Sequence, residues 1–182
     1  MAVPAVAPPL RHLPNALTIA RFALIPAFVV LVLRSDEGHS YAAAIVFALA
    51  AITDQVDGFL ARRWHVESEF GKYADPLADR LMIDAAVVLL WLEGRLPWIA
   101  LAIVIARDAV LVGGSRFAVK RGYTFEVSLL GKTATWILYA SLVAVLATPE
   151  GTDWPLWIFW AGLGLAVVAG VHYVASVLRT LR

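Results

Sequence analysis

The sequence predicts an all-α integral membrane protein with six transmembrane helices and both termini in the cytosol. Three observations carry that prediction. Of the 182 residues, 61% are hydrophobic and only 16% charged, and mean hydropathy is +0.77, whereas soluble domains sit near about 45–50% apolar and about 25% charged. Six apolar segments each reach the roughly 20 residues that a hydrocarbon core about 30 Å thick requires. Lysine and arginine, finally, gather at one set of segment ends and are scarce at the other.

In chain order the segments run over about 15–33, 41–62, 73–92, 97–119, 128–147 and 155–178. The stretch "LPNALTIARFALIP" opens the first, with Pro14 and Asn15 as its start signal and Pro26 as a tolerated interior proline, since neighbouring helices can satisfy the freed carbonyl. Turn chemistry separates the others: "RSDEGHS" after the first, "LEGRLP" after the third and "TPEGTDWP" after the fifth. Residues 1–12, "MAVPAVAPPLRH", are Pro- and Ala-rich with an apolar run too short for a signal peptide, and read as a flexible cytosolic tail. Residues 13–182 then form a single six-helix membrane domain. With no cysteine, disulfides and thiolate metal sites are excluded.

Orientation follows from the basic residues. Arg11, Arg62, Arg63, Lys72, Arg116, Lys120, Arg121, Arg179 and Arg182 share one set of ends, while the other holds only Arg34 and Arg95, beside Asp36, Glu37, Glu93, Glu150 and Asp153. The positive-inside rule places the first set in the cytosol. Trp91, Trp98, Trp154 and Trp157 fall at the opposite ends, where an interfacial aromatic belt belongs. A multi-pass protein of the cell membrane is expected, with the bilayer as a partner and no nucleic acid.

Against this background the run "DQVDGFLARRWHVESEFGKYADPLADR" is anomalous. Asp54 and Asp57 stand at i, i+3 near the cytosolic end of the second helix. Asp75 and Asp79 stand at i, i+4 at the start of the third, so each pair shares a helical face. A short basic loop makes the two helices antiparallel neighbours, and the four carboxylates can converge at one depth. Each ionised side chain at the bilayer centre costs about 2.5–3.5 kcal/mol, so four facing lipid would cost on the order of 10 kcal/mol. They must face inward, around something positive. Pairing with Arg62, Arg63, Lys72 and Arg80 would account for one or two of them, but not for four, nor for Gly58 and Gly71, since a glycine inside a helix loses about 1 kcal/mol against alanine and clears room for something bulky. Oxygen-only ligands suit hard cations, Mg²⁺ or Mn²⁺, and two carboxylates from each of two helices suit a pair of ions bridging a phosphate.

The pattern D-x-x-D-G-x-x-A-R-x8-G-x-x-x-D-x-x-x-D is filled by Asp54, Asp57, Gly58, Ala61, Arg62, Gly71, Asp75 and Asp79. It resembles the signature of the CDP-alcohol phosphatidyltransferases at every fixed position. The resemblance implies transfer of a phosphatidyl group from CDP-diacylglycerol to an alcohol with release of CMP, at the cytosolic face. It implies two divalent cations held by Asp54, Asp57, Asp75 and Asp79, with Asp79 also the base that deprotonates the acceptor hydroxyl. Asp57, Gly58, Ala61, Arg62 and Gly71 would form the cytidine-nucleotide site, with Arg62 on the diphosphate. The family's usual homodimer is expected as well.

The opening "LPNALTIAR" resembles that of the branch making anionic phospholipids, and gives Arg21, one turn from Thr18, a polar role in the active-site cavity. Arg107 with Asp108 lies too deep to snorkel comfortably; the two form either an internal ion pair or, through Arg107 with Arg116 and Lys132, a phosphate pocket for an anionic acceptor. Arginine's fork matches phosphate oxygens and lysine adds a point charge. Overall length and the opening suit a member that uses glycerol 3-phosphate. "ARD" and "GKTAT", where glycerophosphate users read A-R-E and G-K-x-K-T, lean instead toward a cardiolipin synthase with phosphatidylglycerol as acceptor. Asp84, five residues past Asp79, falls on a different face and is left outside the metal site. Gly162, Ala166 and Gly170, four apart in the last helix, permit close helix approach, either within the protein or at a dimer seam, with the dimer seam favoured. His39 is read as a solvated loop residue and His172 as a hydrogen-bonded interior one.

The rival from another class is a divalent-cation transporter, since intramembrane carboxylates also mark ion paths. Transporters place their sites near the midplane between repeats. Here the carboxylates sit toward one face and no internal repeat is evident, so the transferase reading is favoured.

Overall fold

The computed structural model describes residues 13–35, 38–64, 69–120 and 129–180, with side chains described over 16–35, 38–53, 80–112 and 129–176. The tail at 1–12 lies outside the described residues. Among the described residues the chain is all-helical: α1 (Leu13–Leu33), α2 (Tyr41–Trp64), α3 (Glu69–Leu92), α4 (Trp98–Lys120), α5 (Leu129–Ala147) and α6 (Trp154–Thr180). α1 runs unbroken through Pro26. The largest departure from expectation is the start of α3, which takes in Gly71 and Lys72. The connection after Trp64 therefore shrinks to residues 65–68, and Arg62 and Arg63 belong to the last turn of α2.

The helices pack in a closed ring, α1–α2–α5–α6–α4–α3 and back to α1, with α5 against α6 the most extensive contact. Among the described residues, α1 touches both α2 and α3 more broadly than those two touch each other. Aromatic rings tie one side of the ring together. Phe28 of α1 meets Phe47 of α2 at 5.4 Å between centroids, and Phe47 meets Tyr139 of α5 at 5.3 Å. Such tilted pairs contribute about 0.5–1.5 kcal/mol beyond the area they bury. Met82, Ala86 and Leu90 of α3 and Leu138, Leu142 and Leu146 of α5 fill the interior at helical spacing.

Outward faces are apolar on every helix. Ile19, Val30, Ile45, Leu49, Leu81, Ile105, Val110, Trp136, Val168 and Val171 are all exposed, far more apolar surface than a soluble monomer presents. Three helices have described stretches long and apolar enough to cross a membrane, Ala16–Leu33, Leu129–Ala147 and Trp154–Ser176. The described stretch of α2, Tyr41–Thr53, is apolar but shorter.

The end away from the aspartates is firmly tied. Gly94, at φ +73°, closes α3 with Gly94 N donating to Trp91 O and Arg95 N to Leu90 O, a paired arrangement that needs a left-handed residue. Arg95, read from sequence as a charge at the outer end, is buried instead. Its Nη2 donates to the carbonyl oxygens of Val145 and Thr148, both at 2.9 Å. A guanidinium thus satisfies carbonyls at the C-terminus of α5, where the helix dipole favours a cation. Ser40 caps α2 through Ala43 N, and its own N donates to Leu146 O. Trp91, Trp98, Trp154 and Trp157 are all exposed at this end, the distribution expected of an aromatic belt.

At Gly162 the small-residue stripe of α6 is an internal seam with α5, whereas at Gly170 nothing lies within 4 Å of a Cβ. A Cβ on Gly162 would stand 2.8 Å from Ile137 Cγ2 and 3.2 Å from Leu138 N, both on α5, and Ala166 is buried beside it. Hydrophobic periodicity shows that two helices approach closely but not whether both belong to one chain. The histidine expectations are reversed. His39 is half-buried, its ring edge-on to Tyr41 at 5.0 Å, while His172 is exposed near the end of α6.

Candidate active site

Helix geometry alone sets the depth of the aspartates. At 1.5 Å rise per residue, Asp54 lies ten residues, about 15 Å, before the end of α2 at Trp64, and Asp79 the same distance after the start of α3 at Glu69. Asp57 lies seven residues from its helix end and Asp75 six from its own, about 10 Å and 9 Å. The four therefore form two matched levels on consecutive helices. Gly58 and Ala61 of α2 fall between Asp57 and the helix end, with Arg62 in the last turn and Gly71 in the first turn of α3. The side chains of all eight lie outside the described ones. Among the described residues, no cluster of three or more acidic or histidine side chains is assembled.

Arg21 comes to the same band, eight residues and about 12 Å from the start of α1. Thr18 and Arg21 are each 1% exposed. A guanidinium so deeply enclosed is no snorkelling surface group; it belongs to the interior that α1 shares with α2 and α3.

The other three cationic candidates do not share one level. Arg116 lies about 6 Å from the end of α4 and Lys132 about 4.5 Å from the start of α5, whereas Arg107 is some 20 Å from the end of α4. Lys132 is exposed, and the Arg116 side chain lies outside those described. Arg107 and Asp108 do pair: Nη1 to Oδ1 is 3.3 Å, with both side chains mostly buried. Arg107 Nε is buried with no hydrogen-bond partner, and a buried orphan donor costs about 1–3 kcal/mol.

Sequence reasoning set Asp84 aside, yet it belongs to this cluster. Half-buried on α3, Asp84 lies within electrostatic reach of Asp108 and Arg107 on α4 and of Arg80 on its own helix. Asp84 Oδ1 and Asp108 Oδ1 make no hydrogen bond. The signal was present in the sequence: Arg80 and Asp84 stand at i, i+4, and Arg107–Asp108 falls at the same mid-helix depth of the next segment. Helix-face spacing from Asp79 looks only along α3, whereas the charged neighbours of Asp84 come from α4 as well.

The chain's relatives agree with one another. Residues 11–168 match the family model described as CDP-alcohol phosphatidyltransferase. The chain is 34% identical over 174 residues to a protein of Escherichia coli (strain K12) named CDP-diacylglycerol--glycerol-3-phosphate 3-phosphatidyltransferase, covering 93% of each chain. Proteins of the same name in Shigella sonnei (strain Ss046) and Shigella flexneri serotype 5b (strain 8401) are 34% and 33% identical over the same share of each chain.

Proposed function

The chain belongs to the CDP-alcohol phosphatidyltransferase family, and we propose that it transfers the phosphatidyl group of CDP-diacylglycerol to glycerol 3-phosphate, releasing CMP. It is a phosphatidyltransferase and a membrane protein, which removes the cation-transport reading. The observation that carries the proposal is the complete aspartate–glycine–arginine signature at two matched levels of α2 and α3, in a chain similar along 93% of its length to proteins named for that reaction.

In this reading all six helices span the cell membrane with both termini cytosolic, residues 13–182 form one domain preceded by the tail at 1–12, and the enzyme is a homodimer. The exposed apolar faces of every helix and the tryptophans at one end support it. Asp54, Asp57, Asp75 and Asp79 hold two divalent cations, Mg²⁺ or Mn²⁺; carboxylate oxygens fit hard cations, and four of them at two adjacent levels leave an excess of negative charge that a cation offsets. When bound, the ions supply charge neutralisation at the diphosphate.

The chain's own residues do the rest. Arg62 holds the diphosphate by its fork of donors, and Gly58, Ala61 and Gly71, with their small side chains, leave room for the cytidine. Asp79 accepts the proton of the acceptor hydroxyl as that oxygen attacks the phosphatidyl phosphorus and the bond to the CMP oxygen breaks. Arg21, Arg107, Arg116 and Lys132 supply positive charge for the acceptor phosphate, and the orphan Nε of Arg107 is a donor ready for a phosphate oxygen. The cytosolic boundary lets a lipid tail and a water-soluble nucleotide be held together.

A second acceptor, phosphatidylglycerol, is favoured by Asp108 and by the single lysine of "GKTAT". Purified protein in lipid, given CDP-diacylglycerol and Mg²⁺, separates the readings by CMP release. Glycerol 3-phosphate is expected to support turnover, while phosphatidylglycerol and inositol phosphate leave it at the level without acceptor. Turnover with phosphatidylglycerol alone would replace the first reading by a cardiolipin synthase.

A further inference from the structure

We propose that Arg95 is the strap of a seal: it clasps the α3–α4 turn to the last turn of α5, and this end of the bundle stays shut through the catalytic cycle while substrates and products pass at the aspartate-bearing end. The proposal takes its cycle from the phosphatidyl-transfer reading above and adds to it a residue far from the family signature.

The last turn of α5 carries carbonyls that have no partner within the helix, and inside a bilayer such groups must be satisfied by the protein. Three of them are met from three places. Ala144 O accepts from Thr148 Oγ1 at 2.8 Å, Val145 O from Arg95 Nη2 at 2.9 Å, and Leu146 O from Ser40 N at 2.9 Å. The same Nη2 donates to Thr148 O, just past the helix, at 2.9 Å. One helix end thus receives a donor from the α1–α2 turn and another from the α3–α4 turn. Those two turns also meet each other: a Cβ on Gly38 would stand 2.9 Å from Glu93 Cβ and 3.2 Å from Arg95 Cγ. Arg95 takes part in both contacts, its guanidinium on α5 and its stem against Gly38, and it is only 8% exposed.

A seal is needed because charge reaches deep into the bundle. Arg107 and Asp108 lie nine and ten residues, about 13.5 and 15 Å, from the start of α4 at Trp98, and Asp84 lies eight residues, about 12 Å, before the end of α3 at Leu92. In a hydrocarbon core about 30 Å thick, polar side chains therefore run from the aspartate-bearing end to the middle or past it. Arg107 Nε, Asp84 Oδ1 and Asp108 Oδ1 are buried without a hydrogen-bond partner, and water admitted from the aspartate-bearing end satisfies such groups. What separates that level from the opposite surface is an apolar plug of Leu90, Leu96, Ala100, Leu142 and Leu146, all buried, with the Arg95 tie across its mouth. Apolar packing is non-directional and tolerates sliding, whereas hydrogen bonds weaken steeply as length and angle depart from their optimum. The tie thus resists parting of the helices where the plug alone would yield.

The chain contains no cysteine, so single introduced thiols report access. Ala43→Cys and Ala100→Cys place one in the first turns of α2 and α4, both 0% exposed, while Glu150→Cys in the exposed α5–α6 turn is the reference for the same end. The full chain in lipid vesicles is treated with a membrane-impermeant maleimide, idle and during turnover with CDP-diacylglycerol, glycerol 3-phosphate and Mg²⁺. Both buried thiols are expected to react at least about tenfold more slowly than the reference, with idle and turnover rates within about twofold. Arg95→Met keeps the stem and removes the donors, and is expected to raise both rates at least about tenfold, with Arg95→Lys between the two. Leu163→Ala, a core truncation on α6 away from the tie, is expected to lower the melting temperature but leave both thiols slow. A rise during turnover in the Arg95 chain would overturn the proposal, as would Arg95→Met rates equal to those of the Arg95 chain or matched by Leu163→Ala. If Arg95→Met does not accumulate as folded protein, Arg95→Lys and the comparison of idle with turnover rates decide. A chain that releases no CMP with any acceptor sinks the underlying reading, and the idle rates with and without Arg95 then judge the strap on their own.

Discussion

Asparagine in place of Asp79 is expected to lower CMP release by at least about 10²-fold, the lower bound of what a positioned base contributes. The substitution keeps size and shape but removes the charge proposed to accept the acceptor's proton. Asp57 of α2 and Arg62 in its last turn are unchanged, so affinity for the cytidine nucleotide should stay within a few fold. The two readouts together separate loss of chemistry from loss of fold. A variant that retains a tenth or more of the activity would take the base role away from Asp79.

Removing divalent metal is expected to have an effect of similar size. Charge neutralisation by a bound cation contributes several kcal/mol to a transition state, at least about a hundredfold in rate. CMP release in excess chelator should fall to background and return when Mg²⁺ or Mn²⁺ is restored in molar excess over the chelator. Ca²⁺, larger and more loosely coordinated, should restore it poorly. Full activity in chelator, in a preparation shown to be metal-free, would leave the four carboxylates without their counter-charge and break the account at its base.

Much of the architecture was legible because bilayer thickness and helical rise dictate it. The six helices, the glycine-containing turns and the tryptophans at one end all reappear, with α3 starting four residues early. The candidate site stands out in the sequence for an energetic reason: four aspartates in so apolar a chain require an explanation, and their spacing suggests one. What could not be read were relations between helices distant in sequence. That Gly162 packs on Ile137 and that Arg95 reaches back to the carbonyl of Val145 are facts of ring order, which no single segment encodes. The same blindness hid the surroundings of Asp84, which feels charges from the next helix as well as its own. Arg21 shows the middle case. Its burial follows from α1 packing against both α2 and α3, whereas its sequence neighbours alone are equally compatible with a snorkelling side chain.

The most direct measurement locates the ions themselves. Crystals grown with CDP-diacylglycerol or CDP and Mn²⁺ in place of Mg²⁺, recorded at an energy where manganese scatters anomalously, report position independently of activity. The account predicts two anomalous peaks between the motif-bearing ends of α2 and α3, within coordinating distance of Asp54, Asp57, Asp75 and Asp79 and bridged by the diphosphate. Peaks elsewhere, or those four carboxylates paired with arginine and lysine at full Mn²⁺ occupancy of the medium, would contradict it.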